Sequence, residues 1–243
     1  MLENIVRKDF RKFDKNDKIS RIFGYLYGEG DFPVIMDNKR VWGIIDKRRL
    51  LKSKLSGKEK IKDFVVGVPK VDATYSVQKL ISKMKKSGVD TVMVTQNKEL
   101  IGYITAVDVA KIVDIEKNAE SLMRFGATVS ENDEIGDAFN LMRKKGEEIL
   151  PVLSGKNFSG IIGIKNILKL LTTHDKITDY HQEKISLLTA PVKGFMEYGI
   201  KTCSPFDGKD EIIKIMEEQK FVIVCKNREY LGLIKPIDLV KVL

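Results

Sequence analysis

The stretch Thr91-Val-Met-Val-Thr-Gln-Asn-Lys-Glu-Leu-Ile-Gly-Tyr-Ile-Thr105 decides the fold, because its pattern occurs four times in the chain. It reads as a short apolar strand, a polar turn and a second strand carrying Gly102. The other copies are Phe32-Pro-Val-Ile-Met-Asp-Asn-Lys-Arg-Val-Trp-Gly-Ile-Ile-Asp46, Leu150-Pro-Val-Leu-Ser-Gly-Lys-Asn-Phe-Ser-Gly-Ile-Ile-Gly163 and Phe221-Val-Ile-Val-Cys-Lys-Asn-Arg-Glu-Tyr-Leu-Gly-Leu-Ile-Lys235. Their aligned glycines, Gly43, Gly102, Gly160 and Gly232, stand 59, 58 and 72 residues apart. One unit therefore occupies about sixty residues, and the last interval holds an insertion.

The flanks repeat with the hairpins. Amphipathic helices are expected at Val77–Lys86, Ile135–Lys144 and Glu211–Glu218, where Leu80 with Met84 and Phe139 with Met142 recur at helical spacing and face a core. The counterpart in the first unit, Ile19–Tyr27, has the same stripe, weakened by Gly24. A short basic-apolar helix follows each hairpin, at Arg48–Lys52, Val107–Val113, Lys165–Leu171 and Ile237–Leu243. A unit of three strands and two helices buries too little apolar surface to be secure alone, so units are expected in pairs. The division falls near residue 116. Residues 1–116 hold the first pair (about 1–57 and 58–116), and 117–243 the second (about 117–172 and 190–243), with the insertion at about 172–199.

Composition narrows the function classes. The chain has 243 residues, 43% of them hydrophobic and 32% charged, enough apolar content for a filled core. No apolar run approaches the roughly 18 residues a membrane helix requires. The charged start, Met1-Leu-Glu-Asn-Ile-Val-Arg-Lys, lacks the apolar centre of a signal peptide, so the expected location is the cytoplasm. Cys203 and Cys225 form no C-x-x-C motif, and Cys225 sits in an apolar run, as a reduced buried thiol does. The formal charge of +9 favours polyanions, whether nucleic acid or a phosphorylated small molecule, without choosing between them.

The order strand–helix–strand–turn–strand–helix, with a glycine in the last strand, resembles the CBS domain family over essentially the whole chain. The resemblance implies an α+β fold of four tandem βαββα repeats packed as two pseudo-twofold pairs (Bateman modules). It also implies an adenosyl ligand such as AMP, ADP, ATP, S-adenosylmethionine or methylthioadenosine in the clefts between paired repeats, with no metal expected. The partners it implies are this small molecule, a regulated protein and a second copy of the chain. The family motif G-h-h-[S/T]-x-x-D follows the repeat glycine. Its hydroxyl residue contacts phosphate and its aspartate bonds both ribose hydroxyls. The second unit matches fully in Gly102-Tyr-Ile-Thr-Ala-Val-Asp108, which points to Thr105, Val107 and Asp108, with Val92 on the entering strand beside adenine. The fourth unit keeps Asp238 but has Lys235 in the hydroxyl position. The third has Gly163 and Asn166, and the first Asp46 and Arg49.

The residue types suit that chemistry. A strand-to-helix turn offers free N–H groups and a positive dipole end to an anion. Ionised aspartate is acceptor-only and can take both hydrogens of a cis-diol. Lys235 brings a full positive charge that favours a polyphosphate, whereas Asp46 repels phosphate. The same residues also carry a structural meaning: Thr105-Ala-Val-Asp108 is a capping-box sequence, Asp46 can cap its helix, and Pro236 fits a first helical position. Both meanings stand open here. A Walker-type phosphate loop and a nucleophile elbow are absent from the sequence. The two histidines, His174 and His181, lie seven residues apart in the insertion and are expected to be exposed linker residues rather than metal ligands. The expectation is a non-catalytic adenosyl-ligand sensor. Its rivals are a nucleic-acid-binding member of the same family, using its basic surface, and a structural dimerisation module with vestigial clefts.

Overall fold

The computed structural model describes residues 2–26, 32–51, 58–167 and 188–243. His174, His181 and most of the insertion lie outside them.

Each unit is built around a two-stranded hairpin. The hairpins are β2 (Phe32–Asp37) with β3 (Arg40–Ile45), β6 (Thr91–Gln96) with β7 (Glu99–Thr105), β9 (Ile149–Ser154) with β10 (Asn157–Gly163), and β12 (Val222–Lys226) with β13 (Glu229–Ile234). The second and fourth turn through Asn97-Lys98 and Asn227-Arg228, all four at positive φ (51°, 67°, 51° and 72°). This doubly left-handed turn matches the twist of the flanking strands. A short strand earlier in each unit runs parallel to the first hairpin strand. These are β1 (Phe10–Asp14) on β2, β5 (Lys70–Asp72) on β6, β8 (Val129–Ser130) on β9, and β11 (Thr202–Cys203) on β12.

The expected helices form where the described residues contain them; the third unit's Lys165–Leu171 lies outside those residues beyond Ile167. Numbered along the chain, the helices are α1 (Phe23–Leu26), α2 (Lys47–Leu51), α3 (Val77–Ser87), α4 (Ala106–Ile112), α5 (Ala119–Leu122), which no expectation covered, α6 (Ile135–Lys145), α7 (Lys209–Gln219) and α8 (Pro236–Lys241). Ser76 caps α3 by accepting from the Lys79 N–H, and Gly88 closes it at φ 68° with its own N–H on the Met84 carbonyl. Leu80, Met84 and Met142 are fully buried, as their spacing requires. The first unit departs from the pattern: a 3-10 turn at Ile19–Ile22 runs into the four-residue α1, where Gly24 withholds helix propensity.

The sheets pair units within each half. Val34, Met36 and Val41 pack on Met93 and Tyr103, and Ile161 packs on Phe221, Ile223 and Leu233. The helices join the halves within the one chain. Ile22, Ile45 and Leu50 of the first unit share a core with Ile135, Met142 and Ile162 of the third. Val107 and Ala110 of the second pack with Ile212 and Leu239 of the fourth.

The two thiols do not face each other. Parallel register sets Cys203 opposite Val224, which turns Cys225 to the other face of the sheet. Both cysteines are free, and burial pushes their pKa values up to about 12 and about 11.

Candidate functional site

The four repeat glycines admit a neighbour's backbone. A short lead-in segment before each unit crosses to the sister unit and lies against its second hairpin strand. Arg7 bridges Tyr103, β4 (Val65–Val66) pairs with β3, Arg124 bridges Leu233, and Glu197 bridges Ile161. A Cβ on Gly43 would sit 2.1 Å from the Val66 carbonyl oxygen, on Gly102 2.1 Å from that of Arg7, on Gly160 2.4 Å from that of Glu197, and on Gly232 3.1 Å from that of Arg124. The glycines thus serve close backbone packing between paired units.

This exchange sets the surroundings of every candidate residue. Thr105 and Asp108 form a capping box: the Asp108 N–H donates to Thr105 Oγ1 at 3.3 Å, and Asp108 Oδ2 accepts from the Thr105 N–H at 2.9 Å and its hydroxyl at 2.7 Å. The Arg7 guanidinium then closes on the same carboxylate, with Nε at 2.9 Å from both oxygens and Nη2 at 2.8 Å from Oδ1. Asp108 is buried, and its hydrogen bond and charge raise the Arg7 pKa above the ordinary guanidinium value. The capping meaning of the motif is therefore realised, and the carboxylate points at its own turn and at Arg7.

The sister positions follow the same plan with different partners. Asp238 accepts from the Lys235 N–H at 2.9 Å and lies 3.3 Å from Arg124 Nε and 3.0 Å from Lys241 Nζ. The Lys235 ammonium is paired with Glu147 rather than displayed at a helix mouth. Asn166 accepts from the Gly163 N–H at 2.9 Å and donates to Glu197 at 3.0 Å. Asp46 accepts from the Arg48 N–H at 3.0 Å, and Arg49 donates to the Val65 carbonyl at 2.7 Å.

A cavity of about 470 Å³ opens where all four units meet, within the range of small-molecule sites. Ile44, Ile45 and Lys47 of the first unit line it, as do Thr105, Val107 and Arg7 around the second, Lys165 of the third and Lys220 and Pro236 of the fourth. Asp108, Val92, Asp238, Lys235 and Asn166 are not among its lining residues; Asp108 lies behind Arg7, which is. Val92 is fully buried within its own unit, and the strand reaches the cavity instead through Asp90 and Thr91. Among the described residues the ammonium groups of Lys47, Lys165 and Lys220 make no ion pair or hydrogen bond. Burial pushes the pKa of Lys47 below the ordinary lysine value, and burial together with Lys165 does the same to Lys220. Four carboxylates share the wall. Asp9 accepts from the Tyr103 hydroxyl at 3.1 Å, Asp90 from the Thr91 hydroxyl at 3.1 Å, Glu217 is tied to Lys111, and Glu148 lies within electrostatic reach of Lys47. Lys47, Lys165 and Lys220 escaped the sequence reading because no motif holds them. The lead-in residues left a fainter signal: Arg7, Val66, Arg124 and Glu197 each stand 35 or 36 residues before their own unit's glycine.

Residues 61–115 and 119–173 each match the CBS domain family. These two stretches are CBS domains. The matched stretches are the second and third units, and the first and fourth repeat their fold around the same exchanged lead-ins. The Methanocaldococcus jannaschii protein MJ1225, proposed to be an archaeal homolog of g-AMPK, superposes with a TM-score of 0.81 at 18% identity, covering 99% of each chain. An uncharacterized conserved protein of Pyrococcus horikoshii gives 0.65, also at 18% identity, over 99% of this chain and 98% of its own. The uncharacterized protein MJ1404 of M. jannaschii is 24% identical over 99% of the chain, which spans 61% of that relative's length. These likenesses show that the fold is shared over the full chain. Among the described residues no helix is long and apolar enough to cross a membrane, and no three metal-ligating side chains cluster.

Proposed function

We propose that this chain is a regulatory sensor that holds an adenosyl ligand in the cavity shared by its four units. Thr105 and Val107 line it for the nucleoside, with Asp108 reached behind Arg7, and Lys47, Lys165 and Lys220 bring positive charge to the same wall. The observation that carries this reading is the convergence of three ammonium groups, without an ion pair or hydrogen bond among the described residues, with hydrogen-bond acceptors around one cavity of about 470 Å³. Anionic oxygens suit the lysines, while sugar hydroxyls and a base amino group suit Asp9, Asp90 and Glu148. Asp238, Lys235 and Asn166 belong by the same reasoning to the ties between units. Because the cavity touches every unit, its occupant can favour one arrangement of the two halves over another and so be read by a protein partner. The MJ1225 description supports a regulatory role, since the fold is shared over the full length.

Thermal unfolding with AMP, ADP, ATP, S-adenosylmethionine, methylthioadenosine and an RNA oligomer tests the proposal. A ligand at about 100 times its dissociation constant stabilises by about 2.7 kcal/mol, which raises Tm by about 5–10 °C in a chain of this size. An adenosyl compound is expected to give such a shift. Silence from every adenosyl compound would end the reading, and a steeply salt-dependent response to RNA alone would replace it with the nucleic-acid alternative.

A further inference from the structure

Asp108 already holds as many donors as a carboxylate accepts. Arg7 Nε and Nη2 and the Thr105 N–H and hydroxyl all approach its two oxygens at 2.7–2.9 Å, and a carboxylate offers about four acceptor sites. A ribose diol brings two more donors, so a resident donor has to leave. Thr105 is fixed by β7 and by the cap of α4. Arg7 is held on the carboxylate only by its side chain, which is 37% exposed and lines the cavity.

Resting on the nucleoside reading above, we propose that Arg7 makes this site specific for phosphorylated nucleosides: a ribose takes Asp108, and the released guanidinium turns onto the ligand's phosphate. The exchange has a charge consequence. Ribose hydroxyls are neutral, so Arg7 loses its bonded carboxylate and keeps Asp9 only within electrostatic reach, while standing near Lys220, which has Lys165 as its own neighbour. A phosphate supplies the missing negative charge as a bidentate acceptor for the guanidinium. An unphosphorylated nucleoside supplies none, and a sulfonium nucleoside adds a further cation.

The sister units show that the contact itself is general and its placement is not. Each has a lead-in group on the corresponding helix residue: Arg124 on Asp238, Glu197 on Asn166, and the Val65 carbonyl on Arg49. Of these lead-in residues Arg7 alone lines the cavity, and Asp238 has Lys241 as a second cation. The second unit is thus the copy in which the tie between units can be traded for a ligand.

Calorimetric titration of AMP and adenosine into the wild-type chain and into Arg7→Ala tests this. Wild type is expected to bind AMP tighter than adenosine by about tenfold or more. In Arg7→Ala adenosine is expected to keep or gain affinity while AMP weakens, lowering the ratio severalfold, with the three lysines holding it above one. The ratio is taken within one protein, so a merely structural loss lowers both affinities and leaves it unchanged. Should Arg7→Ala not fold, Arg7→Lys keeps the charge without the bidentate geometry, and the ratio falls part of the way. A ratio unaltered in the folded variants, or a wild type that binds adenosine as tightly as AMP, overturns the role of Arg7 and leaves the nucleoside reading intact. Binding of neither compound to wild type removes both.

Discussion

Lys220 closes α7 at φ 64°, in the left-handed position that Gly88 and Gly146 fill at the ends of α3 and α6 (φ 68° and 67°). A residue with a β-carbon pays roughly 1–2 kcal/mol for that conformation, and a glycine there is the usual solution. The fourth unit accepts the strain and gains an ammonium on the cavity wall, where backbone cost and functional placement commonly coincide. Lys220→Gly is therefore expected to stabilise the chain by about 0.5–1 kcal/mol, after allowance for the extra freedom of glycine in the unfolded chain, while weakening any phosphate-bearing ligand. Urea unfolding gives the first quantity and titration with AMP the second. A variant no more stable than wild type would show that the left-handed turn is unstrained. Thr105 and Asp108 carry a related lesson. Their identity and spacing were readable, and so were the two open meanings, cap and ligand site, but the third participant was not. Arg7 lies 101 residues from Asp108, and only the exchange of lead-ins brings it there.

The exchanged lead-ins also turn the four glycines into a graded series. Replacement by alanine puts a methyl group 2.1 Å from a backbone oxygen at Gly43 and Gly102, and 2.4 Å at Gly160. Backbone on both sides of the contact leaves no flexible atom to yield, so the lead-in has to lift off its strand. At Gly232 the nearest atoms are Met123 Sδ at 3.0 Å and the Arg124 carbonyl oxygen at 3.1 Å, and a methionine side chain can move. Gly102→Ala is expected to cost more than about 3 kcal/mol and Gly232→Ala about 1–2 kcal/mol, with the Arg7–Asp108 pair lost in the first. Denaturant unfolding of both variants checks the order, and equal costs would mean that the lead-ins are not what the glycines admit. Much of this element level was legible in sequence. The spacing of Gly43, Gly102 and Gly160 gave the unit, and Leu80 with Met84 gave the buried face of α3. The first unit's helix was less so, because Gly24 leaves it as a 3-10 turn and a four-residue stub that lean on the third unit for their packing. The cavity was not legible at all, since its lysines come from the first, third and fourth units and share no local pattern.

At the scale of the molecule, the four units close a ring of shared cores. The first packs on the second through sheets and on the third through helices, and the fourth does the same with the third and the second. Among the described residues the cores cross unit boundaries: Leu80 and Met84 of the second unit share theirs with Val240 of the fourth, and Ile45 of the first shares its with Ile162 of the third. Unfolding one half would uncover the helix faces of the other, so the two halves are expected to melt together despite the pairwise organisation of the sequence. Scanning calorimetry should give a single transition whose calorimetric and van't Hoff enthalpies agree. A ligand in the central cavity touches all four units and should move that whole transition upward, without splitting it. A ligand confined to one pair would behave differently, raising that half alone and drawing out a second peak as its concentration increases. Two transitions in the absence of ligand would show that the helix contacts between the halves are too weak to couple them, and with that the physical route from an occupied cavity to a change read elsewhere on the surface would be lost.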